Sequence, residues 1–176
     1  MNLEMAAMRW LWLEKGCHIV LEQRSPRYMV GSPDVLGITA GRYMTEIEIK
    51  RSASDFAADA KKYSKVNRKF YIQNHPRQFY YLMPEALALK LKDRVPDWAG
   101  LMACPFYPQI QILKVAPVNE ASQKLTAKEC VKLARAMTNH MMAYAVNNYA
   151  NHRNFVERDS QFHIEWTDVA KGTYEI

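Results

Sequence analysis

An α/β fold is what the sequence predicts, and three observations predict it. Helix-period and strand-period segments alternate through the first two thirds of the chain. The strand segments are short and bounded by Gly, Pro and Ser, and a long, apolar-striped helix follows them. With 176 residues, 49% of them hydrophobic, the expectation is a single domain, with its core over residues 1–116 and a helical extension over 125–176.

The elements are read in order. Leu3, Ala6, Ala7 and Trp10 fall at i, i+3, i+4 and i+7, and Gly16 stands where a left-handed helix cap belongs. Cys17 to Gln23 alternates as a strand, and Arg24 to Pro33 reads as an irregular connection. Val35 to Thr39 is the second strand, Ala40-Gly41 a hairpin turn, and Tyr43 to Lys50 the third strand. Ser52 with Asp55 resembles a capping box for a helix over 53–66 that buries Phe56, Ala60 and Tyr63. Gln78 to Met83 is a fourth strand, and Pro84 at the first helical position opens a helix to about Lys92. Leu101 to Cys104 and Ile110 to Val115 are two more short strands, and Pro117 to Lys124 reads as a linker. Thr126-x-x-Glu129 is a capping box for a helix to about Asn151, with Val131, Ala134, Met137, Met141 and Tyr144 on one stripe.

The third strand has an unusual face. Alternation with period two puts Met44, Glu46, Glu48 and Lys50 on one side and Thr45, Ile47 and Ile49 on the other. Two carboxylates and an ammonium in a row suit a side that is open to solvent or lines a site, so this face is expected to be exposed.

Charge is concentrated as well as basic. The net charge is +6, and residues 51–77 hold seven basic side chains against Asp55 and Asp59. Such a patch is either a solvated helix face or a phosphate-binding surface that gains affinity by counterion release. Cys17, Cys104 and Cys130 are far apart, with no C-x-x-C pair and no zinc spacing, so reduced thiols are expected. His18, His75, His140, His152 and His163 are scattered and offer no metal pair. Glu4, Arg9 and Glu14 interrupt the apolar N-terminal stretch, which does not fit a signal peptide, and no run approaches a membrane span. No Gly-rich phosphate loop occurs, which argues against nucleotide-cleaving and dinucleotide-binding classes. A soluble, cytoplasmic protein is expected.

The order helix, strand, strand preceded by Pro33-Asp34, strand ending in Glu48-Ile49-Lys50, helix, strand resembles the αβββαβ core of the PD-(D/E)XK nuclease superfamily. The runs SPDVLGIT (32–39) and RYMTEIEIKRSASDFAAD (42–59) look like those of small phage and bacterial DNA-repair endonucleases. The likeness extends to WAGL (98–101) and does not reach the last third of the chain. It implies a restriction-endonuclease-like fold with a central mixed sheet. It also implies Mg²⁺- or Mn²⁺-dependent hydrolysis of phosphodiester bonds in DNA, in repair, recombination or phage DNA processing.

The roles that follow match the chemistry of the residues. Mg²⁺ takes hard oxygen ligands, keeps several waters and needs only one or two carboxylates. Asp34 and Glu48 are those carboxylates, with the Ile49 carbonyl a third ligand by resemblance. The resemblance implies that Lys50 orients or activates the attacking water and stabilises developing negative charge; its structural alternative is a strand-end lysine paired with Glu48. Glu4, Glu22 and Glu46 are auxiliary candidates, as is Glu14, and each is otherwise a surface carboxylate. Lys61, Lys62, Lys65, Arg68 and Lys69 are the candidate phosphate contacts. Exonuclease-like members carry Gln and Tyr four apart on this helix, whereas here Asp59 and Tyr63 have that spacing. Two other classes stay open: a non-catalytic nucleic-acid-binding protein, and an accessory interaction protein that dimerises through the C-terminal helix.

Overall fold

Six strands form one mixed sheet, in a computed structural model that describes residues 2–22, 33–58 and 76–158. The strands lie side by side in chain order: β1 (Cys17–Glu22), β2 (Val35–Thr39), β3 (Met44–Ile49), β4 (Gln78–Pro84), β5 (Gly100–Cys104) and β6 (Gln111–Lys114). β1, β2 and β3 form an antiparallel meander, β3, β4 and β5 are parallel, and β6 returns antiparallel to β5. The α/β class and the mixed sheet are therefore as expected, and no strand boundary moves by more than one residue.

The first helix is shorter than its periodicity suggests. It runs as α1 (Leu3–Arg9), capped by Asn2, whose side chain accepts the Met5 N–H at 3.0 Å, and continues as a π turn over Trp10–Glu14. Gly16 then adopts φ +69°, the left-handed conformation that glycine reaches without steric penalty. In the β2–β3 hairpin the positive φ falls on Arg42 (64°), not on Gly41. Leu125 donates to the Arg42 carbonyl at 2.9 Å, so a contact remote in sequence helps to hold that turn.

Helix α2 starts at residue 53 and is described to residue 58; Ala60, Tyr63 and the basic cluster from Lys61 to Lys69 lie outside the described residues. Pro84 ends β4 and occupies the N-cap of α3 (Glu85–Leu91), with ψ 143°, rather than the first helical position. The 117–124 segment is bound to the sheet end rather than linking loosely: Asn119 N–H donates to Arg77 O (2.8 Å), and Arg77 and Lys124 both lie over the Tyr43 ring.

Helix α4 (Ala127–Arg158) starts with the expected reciprocal box, Thr126 N–H to Glu129 Oε2 at 2.7 Å and Glu129 N–H to Thr126 Oγ1 at 3.2 Å. The stripe it buries is displaced from the expected one. Leu133 is buried, with Cys130, Ala136 and Met137 beside it, whereas Val131 is 67% exposed and Met141 and Tyr144 are exposed. The apolar period was right and its phase was set by the sheet. The chain forms two compact units, Met1–Met137 and Thr138–Ile176; the second contributes the C-terminal part of α4. No helix among the described residues is long and apolar enough to cross a membrane.

Both faces of the sheet are covered. α1 and the π turn pack Leu3, Ala6, Ala7 and Leu11 on Val35, Ile47, Ile49 and Leu82, with Trp10 edge-on to Tyr80 at 5.8 Å. The opposite face carries two separate apolar patches. One joins Leu21, Leu36, Ile38 and Met44 to Leu133, and the other joins Phe56, Phe79, Tyr81 and Met83 to α3. The charged side of β3 lies between them.

Gly100 marks the tightest approach in the sheet. A Cβ there meets the edge of the Tyr80 ring and comes within 2.7 Å of the Ala116 backbone nitrogen. Overpacking against fixed backbone predicts that Gly100→Ala destabilises the protein by about 1–3 kcal/mol, read as a lower urea midpoint at unchanged m-value.

Candidate active site at the end of β3

Three elements bring the charged residues together. In the β2–β3 register Val35 faces Ile47 and Leu36 faces Glu46, so one further step sets Asp34 across from Glu48 on the same side of the sheet. Asp34 Oδ2 accepts the Ile49 N–H at 2.7 Å, which supplies an acceptor where β2 itself has ended. Lys50 follows the last residue of β3, and its N–H donates to Leu82 O at 2.9 Å, so the backbone there remains tied to β4. The Lys50 ammonium donates to Glu48 Oε1 at 3.0 Å and lies 3.9 Å from Asp55 Oδ1.

This face is not exposed, contrary to the expectation from charge alone. Glu48 is 7% exposed and Lys50 4%. Glu48 lies alongside Tyr81 on β4, and the patches centred on Leu36 and Tyr81 flank the row. Buried charges of this kind persist when they compensate one another at short range.

Asp55 is the residue that sequence reasoning missed as part of the site. Its N–H does donate to Ser52 Oγ (3.1 Å), as a capping box requires, but its Oδ2 accepts the Arg51 N–H (3.3 Å) and its Oδ1 faces Lys50. The signal was present in the sequence. A third-position carboxylate, in a helix starting just after the lysine, points back at the strand end that carries that lysine.

The auxiliary candidates divide. Both oxygens of Glu4 accept from Arg51 Nη2 (2.7 and 2.8 Å), which joins α1 to the strand end. Burial alone would raise the Glu4 pKa, but its hydrogen bond from Arg51, its own backbone N–H and the Arg51 charge together hold it below the ordinary value. Glu46 is half-buried in the same row, between Leu36 and Phe79 in register. Glu22 closes β1, its backbone in register with Val35, and Glu14 pairs with Arg9 at 3.5 Å. Of the seven basic residues in 51–77, the two described are both engaged by carboxylates: Arg51 by Glu4, and Arg77 by Glu120 at 3.5 Å. The cysteines are free thiols, and burial pushes Cys17 up to about 11, far from a reactive thiolate.

The donor chemistry fits a hard divalent cation held by few protein ligands. No group of three or more His, Cys, Asp or Glu side chains placed to hold a metal occurs among the described residues. Asp34 precedes β2 by one residue and Glu48 follows Ile47, the partner of Val35, so two carboxylates stand at one end of adjoining strands, which matches the one or two that Mg²⁺ commonly takes. Among the described residues, Asp34, Glu48, Asp55 and Glu4 stand against Lys50 and Arg51, two more carboxylates than cationic groups. Burial raises the Asp34 pKa above its ordinary 3.8; the Ile49 N–H and Lys50 oppose this, while Glu4 and Asp55 add to it. A carboxylate in this condition gains from a cation.

The sign of the Asp34 shift yields a prediction. Because its folded pKa is raised, the stability associated with its protonated form is fully present below 3.8 and is lost as pH rises through the folded value. Asp34→Asn removes that loss while keeping an oxygen for the Ile49 N–H. In chelator the variant is expected to melt above wild type at pH 7, the gap closing below pH 3.8. Thermal unfolding across that pH range, with an equal or lower Tm at neutral pH, would refute it.

No protein-family model matches the chain, and no curated protein matches it. A solved structure described as "SPO1766 protein of unknown function", from Silicibacter pomeroyi, superposes with a TM-score of 0.52 at 22% identity. The alignment covers 93% of this chain and 94% of that one, and at this identity the likeness is one of fold.

Proposed function

We propose that this chain is a Mg²⁺- or Mn²⁺-dependent nuclease of the PD-(D/E)XK type, hydrolysing phosphodiester bonds in DNA. The observation that carries the reading is Asp34 across from Glu48, with Lys50 bonded to Glu48 on the same side. The order α1, β1, β2, β3, α2, β4 is that of a restriction-endonuclease-like αβββαβ core, and the relative orientations of β1 to β4 support it.

Asp34 and Glu48 hold the cation, with the Ile49 carbonyl completing the protein's share. The bound ion supplies charge stabilisation at the phosphate and lowers the pKa of water. Lys50 positions the attacking water and donates to the oxygens on which negative charge accumulates as the new P–O bond forms and the old one breaks. Burial strengthens that donation, because the ammonium acts in a medium of lower dielectric than water. The basic stretch Lys61, Lys62, Lys65, Arg68 and Lys69 is assigned to backbone phosphates.

The buried Glu48–Lys50 pair also favours a second reading, in which it is structural and the protein binds nucleic acid, or serves as an accessory protein, without cutting. Self-association through exposed Met141, Met142 and Tyr144 of α4 belongs to that alternative. Digestion of plasmid and single-stranded DNA in Mg²⁺ separates the two. Glu48→Gln and Lys50→Ala are expected to lose about 10²-fold or more in rate; equal background cleavage by all three proteins would leave only the non-catalytic reading. Glu48→Ala is the poorer probe, because stranding the Lys50 ammonium costs about 3–5 kcal/mol of stability.

A further inference from the structure

We propose that Asp55 is a positioning residue for Lys50: it receives the Lys50 ammonium when Glu48 is engaged by a divalent cation. The inference rests on the metal-binding reading of Glu48 and adds to it a residue outside the Asp34, Glu48, Lys50 set.

Among the described residues, two carboxylates lie within ion-pair range of Lys50 Nζ. Glu48 Oε1 at 3.0 Å is at hydrogen-bonding distance, and Asp55 Oδ1 at 3.9 Å falls just beyond it. A cation on Glu48 competes for the oxygen that Lys50 now uses and repels the ammonium. With a side chain only 5% exposed, Lys50 cannot turn to bulk water without disrupting its packing. A displacement of about 1 Å towards Asp55 makes a charge-assisted hydrogen bond instead, within the freedom of a four-carbon stem with three rotatable donors.

Asp55 is built to stay in place for this. Its N–H is held by Ser52 Oγ, its Oδ2 by the Arg51 N–H, and the next residue, Phe56, is anchored edge-on against Tyr81 at 5.1 Å. The oxygen nearer to Lys50 is the one not used by Arg51. At 47% side-chain exposure Asp55 keeps much of its hydration, so its charge is held more cheaply than that of Glu48 at 9%.

Mn²⁺ binding, followed by the electron paramagnetic resonance signal of the free ion, tests the proposal without any turnover. The proteins compared are wild type, Asp55→Asn, Asp55→Glu, Glu48→Gln, Lys50→Gln and the Asp55→Asn/Lys50→Gln double variant, each checked for folding by circular dichroism. Asp55→Asn is expected to weaken Mn²⁺ about tenfold, Asp55→Glu to restore most of the affinity, and the Asn substitution to have little effect in the Lys50→Gln background. In the DNA digestion assay Asp55→Asn lowers kcat with KM for DNA unchanged. An equal loss with and without Lys50 would show a general charge effect and overturn the proposal. So would wild-type affinity in Asp55→Asn when Glu48→Gln abolishes binding, an outcome that leaves the metal reading standing. If wild type and Glu48→Gln bind Mn²⁺ alike, the metal reading itself fails and this proposal with it.

Discussion

Placing an ammonium and a carboxylate on the covered face of a sheet imposes the constraint that organises this end of the molecule. Lys50 and Glu48 leave water almost completely, and the energy of that transfer is recovered only through close, well-oriented partners. The surrounding geometry follows from it. Asp34 comes in from β2 and takes the Ile49 N–H, Asp55 comes in from α2, and Arg51 leaves the row to pair with Glu4 on α1. Four elements thereby contribute to one cluster that none could sustain alone. Removing any one charge alters the electrostatics of the others, as the opposed influences on Asp34 already show.

Such a cluster is a poor way to stabilise a fold. Apolar residues of similar volume in the row would join the two flanking patches into one continuous core. Burial instead raises the Asp34 pKa, and the charges of Glu4 and Asp55 add to that rise. A local departure from good packing, in a sheet whose other covered positions are apolar apart from Thr45, is what a functional site looks like in energetic terms. Tyr80, Leu82, Met102 and their α1 partners on the opposite face show no comparable compromise.

Much of this was legible in the sequence where the determinants are local. The Thr126–Glu129 box, the left-handed Gly16 and the shared side of Glu46, Glu48 and Lys50 each depend on residues within a few positions of one another. What alternation does not reveal is whether a face is covered. The apolar patches beside the β3 row are built on residues remote in sequence, among them Phe79 and Tyr81 of β4, and the row, expected in solvent, is found buried. The same limit shifted α4, where the apolar period admitted two phases and the β1–β2 surface selected Leu133 over Val131. Arg42 in the hairpin is a third case, its left-handed turn supported by a bond from Leu125.

Strand direction explains why the charges gather at this point. β3 is where the sheet changes from antiparallel to parallel pairing, since it runs against β2 and with β4. An antiparallel neighbour is reached by a tight turn, but a parallel one requires the chain to cross over a face of the sheet. The residues after Lys50 must therefore leave the sheet plane, and helix α2 begins on the side where Phe56 meets Tyr81. That direction carries Asp55 back to the end of the row it has just left. Asp34 before β2 and Lys50 after β3 occupy that end of the antiparallel pair, so connectivity alone confines their charges to it, and the short-range contacts then fix which atoms meet.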